Sequence, residues 1–160
     1  DRLALIEGYL RDLFKLPLEQ RPPLAILGSF GTATTLDAVT AGGKHLGGTI
    51  AAGIQLGLDA LHRYTDRLPD LDFLRERHIP VDGLGHDTPS ALFSGALAGA
   101  CGLVRELRQS LAMQHRLSED GIPVLLTGGY ASSAIAAKIP VTTTNPLLVL
   151  QGARIISLGL

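Results

Sequence analysis

The sequence predicts an α/β domain, and three observations predict it. Two apolar runs of strand length, Leu24–Leu27 and Ile122–Leu126, lead into glycine turns. A β-branched run, Thr32–Thr40, lies between two glycine-bearing segments and reads as the second strand of a hairpin. Elsewhere, apolar residues return at helical spacing, as in Leu3, Ile6, Tyr9, Leu10, Leu13 and Phe14. The composition is that of a folded chain: 46% hydrophobic and 18% charged in 160 residues, enough for one domain with a real core.

The first helix has Glu7, Arg11 and Asp12 on its polar face and ends in Lys15–Pro23, a stretch with three prolines. Leu24–Leu27 follows as a buried strand and Gly28–Gly31 as a tight turn. Thr32–Thr40 then returns as a strand, and Ala41–Gly43 turns again. Hydroxyls and free N–H groups at such a bend suit phosphate oxygens, because small residues let an anion reach the donors. A threonine-rich edge hairpin without a ligand accounts for the same stretch equally well.

Lys44–Ile50 reads as a further strand, with Gly47 and Gly48 where another group approaches the backbone, and His45 in a surface or packing position. Ala51–Leu68 reads as a helix stopped by Pro69, and Asp70–Pro80 as a loop or short surface element. Gly83–Ser90 is a glycine-rich turn into a helix, with Asp87 or Thr88 as cap and Pro89 at the first helical position. The long helix Ala91–Gln114 has small residues through its first half, which suits close packing on a sheet or a partner. After the Asp120-Gly121 turn, the strand Ile122–Leu126 runs into Thr127-Gly128-Gly129 and a helix over Tyr130–Lys138. In α/β folds that junction is where ligands sit. Ile139–Thr143 reads as an edge strand around Pro140, and Leu147–Ile156 as an apolar helix, buried or at an interface.

Several function classes are disfavoured. The formal net charge is −1 and no basic stretch stands out, which argues against a nucleic-acid surface. The single cysteine, Cys101, rules out an internal disulfide and fits a reducing cytosol; its small apolar surroundings suit a buried structural thiol. His62 and His78 have no carboxylate or cysteine at metal spacing. No run has the length of a membrane span, and the start has no signal-peptide pattern, so a cytoplasmic protein without a membrane contact is expected. Asp1-Arg2 opens directly into a helix without an initiator methionine, as in a piece of a longer chain.

Taken together in this order, Gly31-Thr32-Ala33-Thr34-Thr35-Leu36-Asp37, Gly47-Gly48-Thr49-Ile50 with Gly53, Thr88 with Ser94-Gly95, and Leu126-Thr127-Gly128-Gly129 resemble the type III pantothenate kinases. The related Bvg accessory factors share the pattern. Asp1-Arg2 is similar to the second half of that family's Gly-Ala-Asp-Arg motif. The resemblance covers the whole chain but only the family's C-terminal half. It implies one α/β domain over 1–160, the second half of a duplicated actin/hexokinase/Hsp70-like (ribonuclease H-like) fold, with the first half absent from this sequence. The implied activity is phosphorylation of pantothenate by ATP to 4'-phosphopantothenate, the first step of coenzyme A biosynthesis. The alternative is a non-catalytic regulatory or partner protein like the Bvg accessory factors.

The resemblance also implies roles for individual residues. Asp1 corresponds to the general base, and Asp1, Arg2 and Thr88 to pantothenate contacts. Thr32 corresponds to a phosphate contact with Gly31 and Thr34 around it, and Thr127, Gly128 and Gly129 to the turn beside the adenosine. Mg2+ with ATP, a monovalent cation (K+ or NH4+) and a homodimer are implied as well. Two positions depart from the pattern. Ser29 stands where the family usually has an aspartate that ligates potassium, and Ala52 where a proline often precedes the glycine.

Overall fold

The computed structural model describes residues 2–72, 83–131, 138 and 143–159. Leu24–Phe30 (β1), Ala33–Thr40 (β2) and His45–Ala52 (β3) form an antiparallel meander. Val124–Thr127 (β4) pairs in parallel with the other side of β1, and Thr143–Thr144 (β5) extends the sheet from β4. The strand order is therefore β3-β2-β1-β4-β5. Central β1 has neighbours on both sides and both faces covered, which is why its sequence is an apolar run rather than an alternation.

Arg2–Leu13 (α1) and Leu148–Leu158 (α4) cover one face, where Leu5, Ile6, Tyr9 and Leu13 meet Ala25, Leu27, Val39 and Leu148. Ile54–Tyr64 (α2) and Thr88–His115 (α3) lie on the other, where Phe93, Leu97, Cys101 and Val104 share a core with Ile26, Phe30, Leu36 and Leu126. The α1–α4 crossing is unusually close. A Cβ on Gly152 would overlap the Ala4 carbonyl oxygen and lie 2.8 Å from Gly8 N, so backbone meets backbone there.

Several element boundaries differ from the expectation. Gly28 and Ser29 belong to β1 rather than to a turn. A Cβ at Gly28 would come within 2.7 Å of Leu126 and 3.0 Å of Leu36, so this glycine marks tight packing on a strand. Ala51 and Ala52 complete β3 by pairing with Thr34 and Ala33, and the helix starts only at Ile54. Pro89 follows Thr88 inside the first turn of α3. Leu3 and Phe14 lie outside the buried stripe of α1, and the Arg21 guanidinium sits over the Phe14 ring at 4.8 Å. On α4 only one side is covered: Leu148, Gly152 and Ile155 are buried, whereas Leu150, Ile156 and Leu158 are exposed. The expected surface element after Asp72, most of the helix over 130–138 and most of the strand over 139–143 lie outside the described residues.

Candidate functional site

The hairpin bend is two residues long. Gly31 N–H donates to the Ala33 carbonyl at 3.1 Å, and Gly53 N–H donates to the Thr32 carbonyl at 3.0 Å. Gly53 is the N-cap of α2, and a Cβ there would collide with the Gly31 and Thr32 carbonyls. The first turn of α2 is thereby fastened to the bend, while Thr32 itself is exposed. A small exposed bend with a hydroxyl beside a helix N-terminus can take an anion through N–H and O–H donors.

A second bend is fastened to the first. Gly128 has φ 97°, and a Cβ on it would lie 2.8 Å from the Phe30 carbonyl carbon and 2.9 Å from Phe30 N. Only glycine suits a left-handed backbone at such an approach. Tyr130 N–H donates to the Phe30 carbonyl at 3.3 Å, which draws the Thr127–Gly129 bend against the residue preceding Gly31. Gly129 is exposed, whereas the Thr127 side chain is buried.

Strand register aligns three hydroxyl residues on the α1 side of the sheet. Ser29 of β1 is flanked by Thr35 of β2 and Thr127 of β4. The Oγ1 atoms of Thr35 and Thr127 are buried with no hydrogen-bond partner among the described residues. Such orphaned oxygens are neutral hard donors, the type an alkali cation accepts, without the charge that an aspartate at position 29 would add. Among the described residues there is no group of three or more His, Cys, Asp or Glu placed to hold a metal ion.

Two residues from Thr35 on the same strand face lies Asp37, fully buried. The Arg2 guanidinium donates to it from Nε at 3.2 and 3.1 Å and from Nη2 at 2.5 Å, and His45 Nε2 is 2.7 Å from Oδ1. The hydrogen bonds to Asp37 raise the Arg2 pKa above its ordinary value, against the opposing effect of burial. Gly48 makes the arrangement possible: a Cβ there would be 2.6 Å from Asp37 Oδ1 and 2.9 Å from Arg2 Nη2. The neighbouring Gly47, at φ 128°, lies where the β2–β3 register shifts. Sequence reasoning missed the Asp37 pairing. Its signal was a carboxylate set between Leu36 and Ala38–Val39, in a strand buried over most of its length.

Thr34 and Thr88 lie on the opposite face. Both line an apolar groove of about 950 Å³ between α2 and α3, with Ala51, Gly53, Leu58 and Leu103 among its walls. Thr88 is the first residue of α3, directly after the Asp87 cap. The Asp87 carboxylate accepts from Ser90 Oγ at 2.6 Å and Ser90 N–H at 2.7 Å, which lowers its pKa. The chain thus places Thr34 and Thr88 on one groove and pairs Arg2 with Asp37, but sets Arg2 and Thr88 on different faces of the sheet. Asp1 lies outside the described residues.

A family model described as type III pantothenate kinase matches residues 13–110. The chain belongs to the type III pantothenate kinase family. A type III pantothenate kinase of Roseiflexus sp. (strain RS-1) is 39% identical over 134 residues, covering 84% of this chain and 49% of that protein. One of Gluconobacter oxydans (strain 621H) is 37% identical over 150 residues, covering 92% of this chain and 49% of that protein. The chain therefore spans about half the length of the curated relatives it matches. Among solved structures, a Campylobacter jejuni protein described as belonging to the Baf family shares the fold. Its TM-score is 0.58 over 86% of this chain and 59% of its own, at 21% identity. The α/β class expected from the sequence is the class observed, a mixed five-stranded sheet with helices on both faces. No helix among the described residues is long and apolar enough to cross a membrane.

Proposed function

We propose that this protein phosphorylates pantothenate with ATP, giving 4'-phosphopantothenate for coenzyme A synthesis. The observation that carries the reading is the Gly31–Thr32 bend of a pantothenate-kinase-family chain, braced by Gly53 and presenting an exposed threonine at the start of α2. The exposed Thr32, with Gly31 leaving room beside it, holds phosphate oxygens, and Thr34 lies beneath them. The Thr127–Gly129 bend borders the adenosine. Asp1 accepts the proton of the pantothenate hydroxyl, and Arg2 contacts the substrate next to it. Mg2+, bound with ATP, would supply neutralisation of phosphate charge. A monovalent cation, K+ or NH4+, is held by oxygens near Ser29, where the orphaned Thr35 and Thr127 hydroxyls supply neutral donors. Thr88 is a second pantothenate contact. Because Arg2 and Thr88 occupy different faces of one sheet, a site using both is completed across a homodimer. The expected compartment is the cytoplasm.

The test is ADP release that depends on added pantothenate, measured on the intact protein with Mg2+ and with K+ against Na+. Pantothenate-dependent release supports the reading, and its response to K+ reports on the Ser29 site. A folded protein that releases no ADP under either ion overturns it and favours the accessory-factor reading.

A further inference from the structure

We propose that Asp37 is a positioning residue for the substrate-binding end of α1. It fixes the Arg2 guanidinium so that the free edge of that group meets the anionic end of the substrate. The inference rests on the functional reading above and adds to it a residue to which no role had been given.

The geometry separates the two edges of the guanidinium. Nε and Nη2 are committed to the Asp37 carboxylate. Nη1 makes no hydrogen bond among the described residues, and the Arg2 side chain is 37% exposed against 0% for Asp37. A guanidinium has five N–H donors in a rigid fork, so anchoring one edge fixes the direction of the other. That outer edge is the shape that pairs with a carboxylate or phosphate through parallel hydrogen bonds. Pantothenate ends in a carboxylate. Asp37 is itself held on strand β2, in register with Leu27 on one side and Gly48 on the other. His45 bonds to Oδ1 from the edge strand, restraining the carboxylate from a second direction. Arg2 is the first described residue of α1, so the same ion pair ties the start of that helix to the sheet.

A merely structural ion pair would affect stability and both substrates alike, which makes the proposal testable. In the intact protein, Asp37→Asn keeps the shape but replaces the carboxylate with a single carbonyl acceptor. The expected result is a rise of about tenfold or more in KM for pantothenate, with KM for ATP within about twofold of the unaltered protein. If Asp37→Asn does not fold, Asp37→Glu, which keeps the carboxylate but displaces it, carries the test; Arg2→Lys keeps the charge and the surface position while removing the fork. It should show the same selective loss, and the double variant should be no worse than the more severe single one, because both break one interaction. Equal effects on both substrates, unchanged pantothenate KM or strictly additive losses overturn the proposal. A separate readout keeps the two readings apart. The Arg2 Nε–H signal in 15N NMR should be protected from exchange in the unaltered protein and lose that protection in Asp37→Asn. If the signal is unaltered by the substitution, Asp37 does not position Arg2, whatever the activity. If the unaltered protein shows no pantothenate-dependent ADP release, the functional reading fails instead, and the positioning role in catalysis with it.

Discussion

Replacing Gly152 with alanine tests whether the α1–α4 crossing depends on backbone contact. The added Cβ would overlap the Ala4 carbonyl oxygen and lie 2.6 Å from the Ala4 carbonyl carbon. Neither atom can rotate away, since both belong to the backbone of α1. Gly8 faces the same crossing from the other helix, where a Cβ would press on the Leu148 carbonyl and lie 3.3 Å from Gly152 N. Alanine gains up to about 1 kcal/mol in helix propensity over glycine. Overpacking of this kind costs about 1–3 kcal/mol when side chains can adjust, and a rigid backbone obstacle puts the cost at the upper end. The expected net loss is about 2 kcal/mol, or a fall in Tm of about 4–8 °C for a domain of this size. Urea unfolding followed by circular dichroism measures it. Gly102→Ala is the control: it lies in α3, where a Cβ meets nothing within 4 Å, so propensity alone should stabilise it by about 0.5–1 kcal/mol. A Gly152→Ala protein as stable as Gly102→Ala would refute the reasoning.

Three further outcomes are expected. Thr32→Val should weaken ATP binding about fivefold, the loss of roughly 1 kcal/mol for one hydroxyl donor, as measured by calorimetry; an unchanged affinity would remove the bend from phosphate binding. Burial pushes the Tyr9 phenol up to about 12, so the folded state keeps a proton that the unfolded state loses near its ordinary value of about 10. The stability this contributes is fully present below pH about 10 and lost as pH rises toward about 12, and Tyr9→Phe should flatten that part of the stability curve in alkaline unfolding. Burial likewise raises the Cys101 thiol, against the weaker opposing influence of Arg105 and Lys138; alkylation by iodoacetamide at pH 8 should therefore be much slower in the folded protein than in urea.

The strands at the centre of the sheet were legible because a doubly covered strand must be apolar along its length, as Leu24–Leu27 is. The α3 cap was legible as Asp87 or Thr88, and the capping box between Asp87 and Ser90 decides for Asp87. Long-range packing was harder to read. Gly28 looks like a turn residue in isolation, and only the Leu126 and Leu36 side chains above it make it a strand residue. Ala51 and Ala52 suit a helix by propensity, but their pairing with Thr34 and Ala33 makes them strand. The Gly8–Gly152 contact joins residues at opposite ends of the chain, and nothing within either helix announces the other. The same holds for Arg2 and Asp37. A buried strand carboxylate requires a partner, yet the requirement does not name which cation supplies it.

The contact between Gly128 and Phe30 has a mechanical consequence. Because Phe30 precedes Gly31, the two exposed bends share a single stretch of backbone and are bolted together through it. They form one jaw rather than two fingers. A rigid-body motion that opens a cleft carries both in the same direction and leaves their spacing unchanged. A molecule gripping both bends therefore gains no release from motion between them.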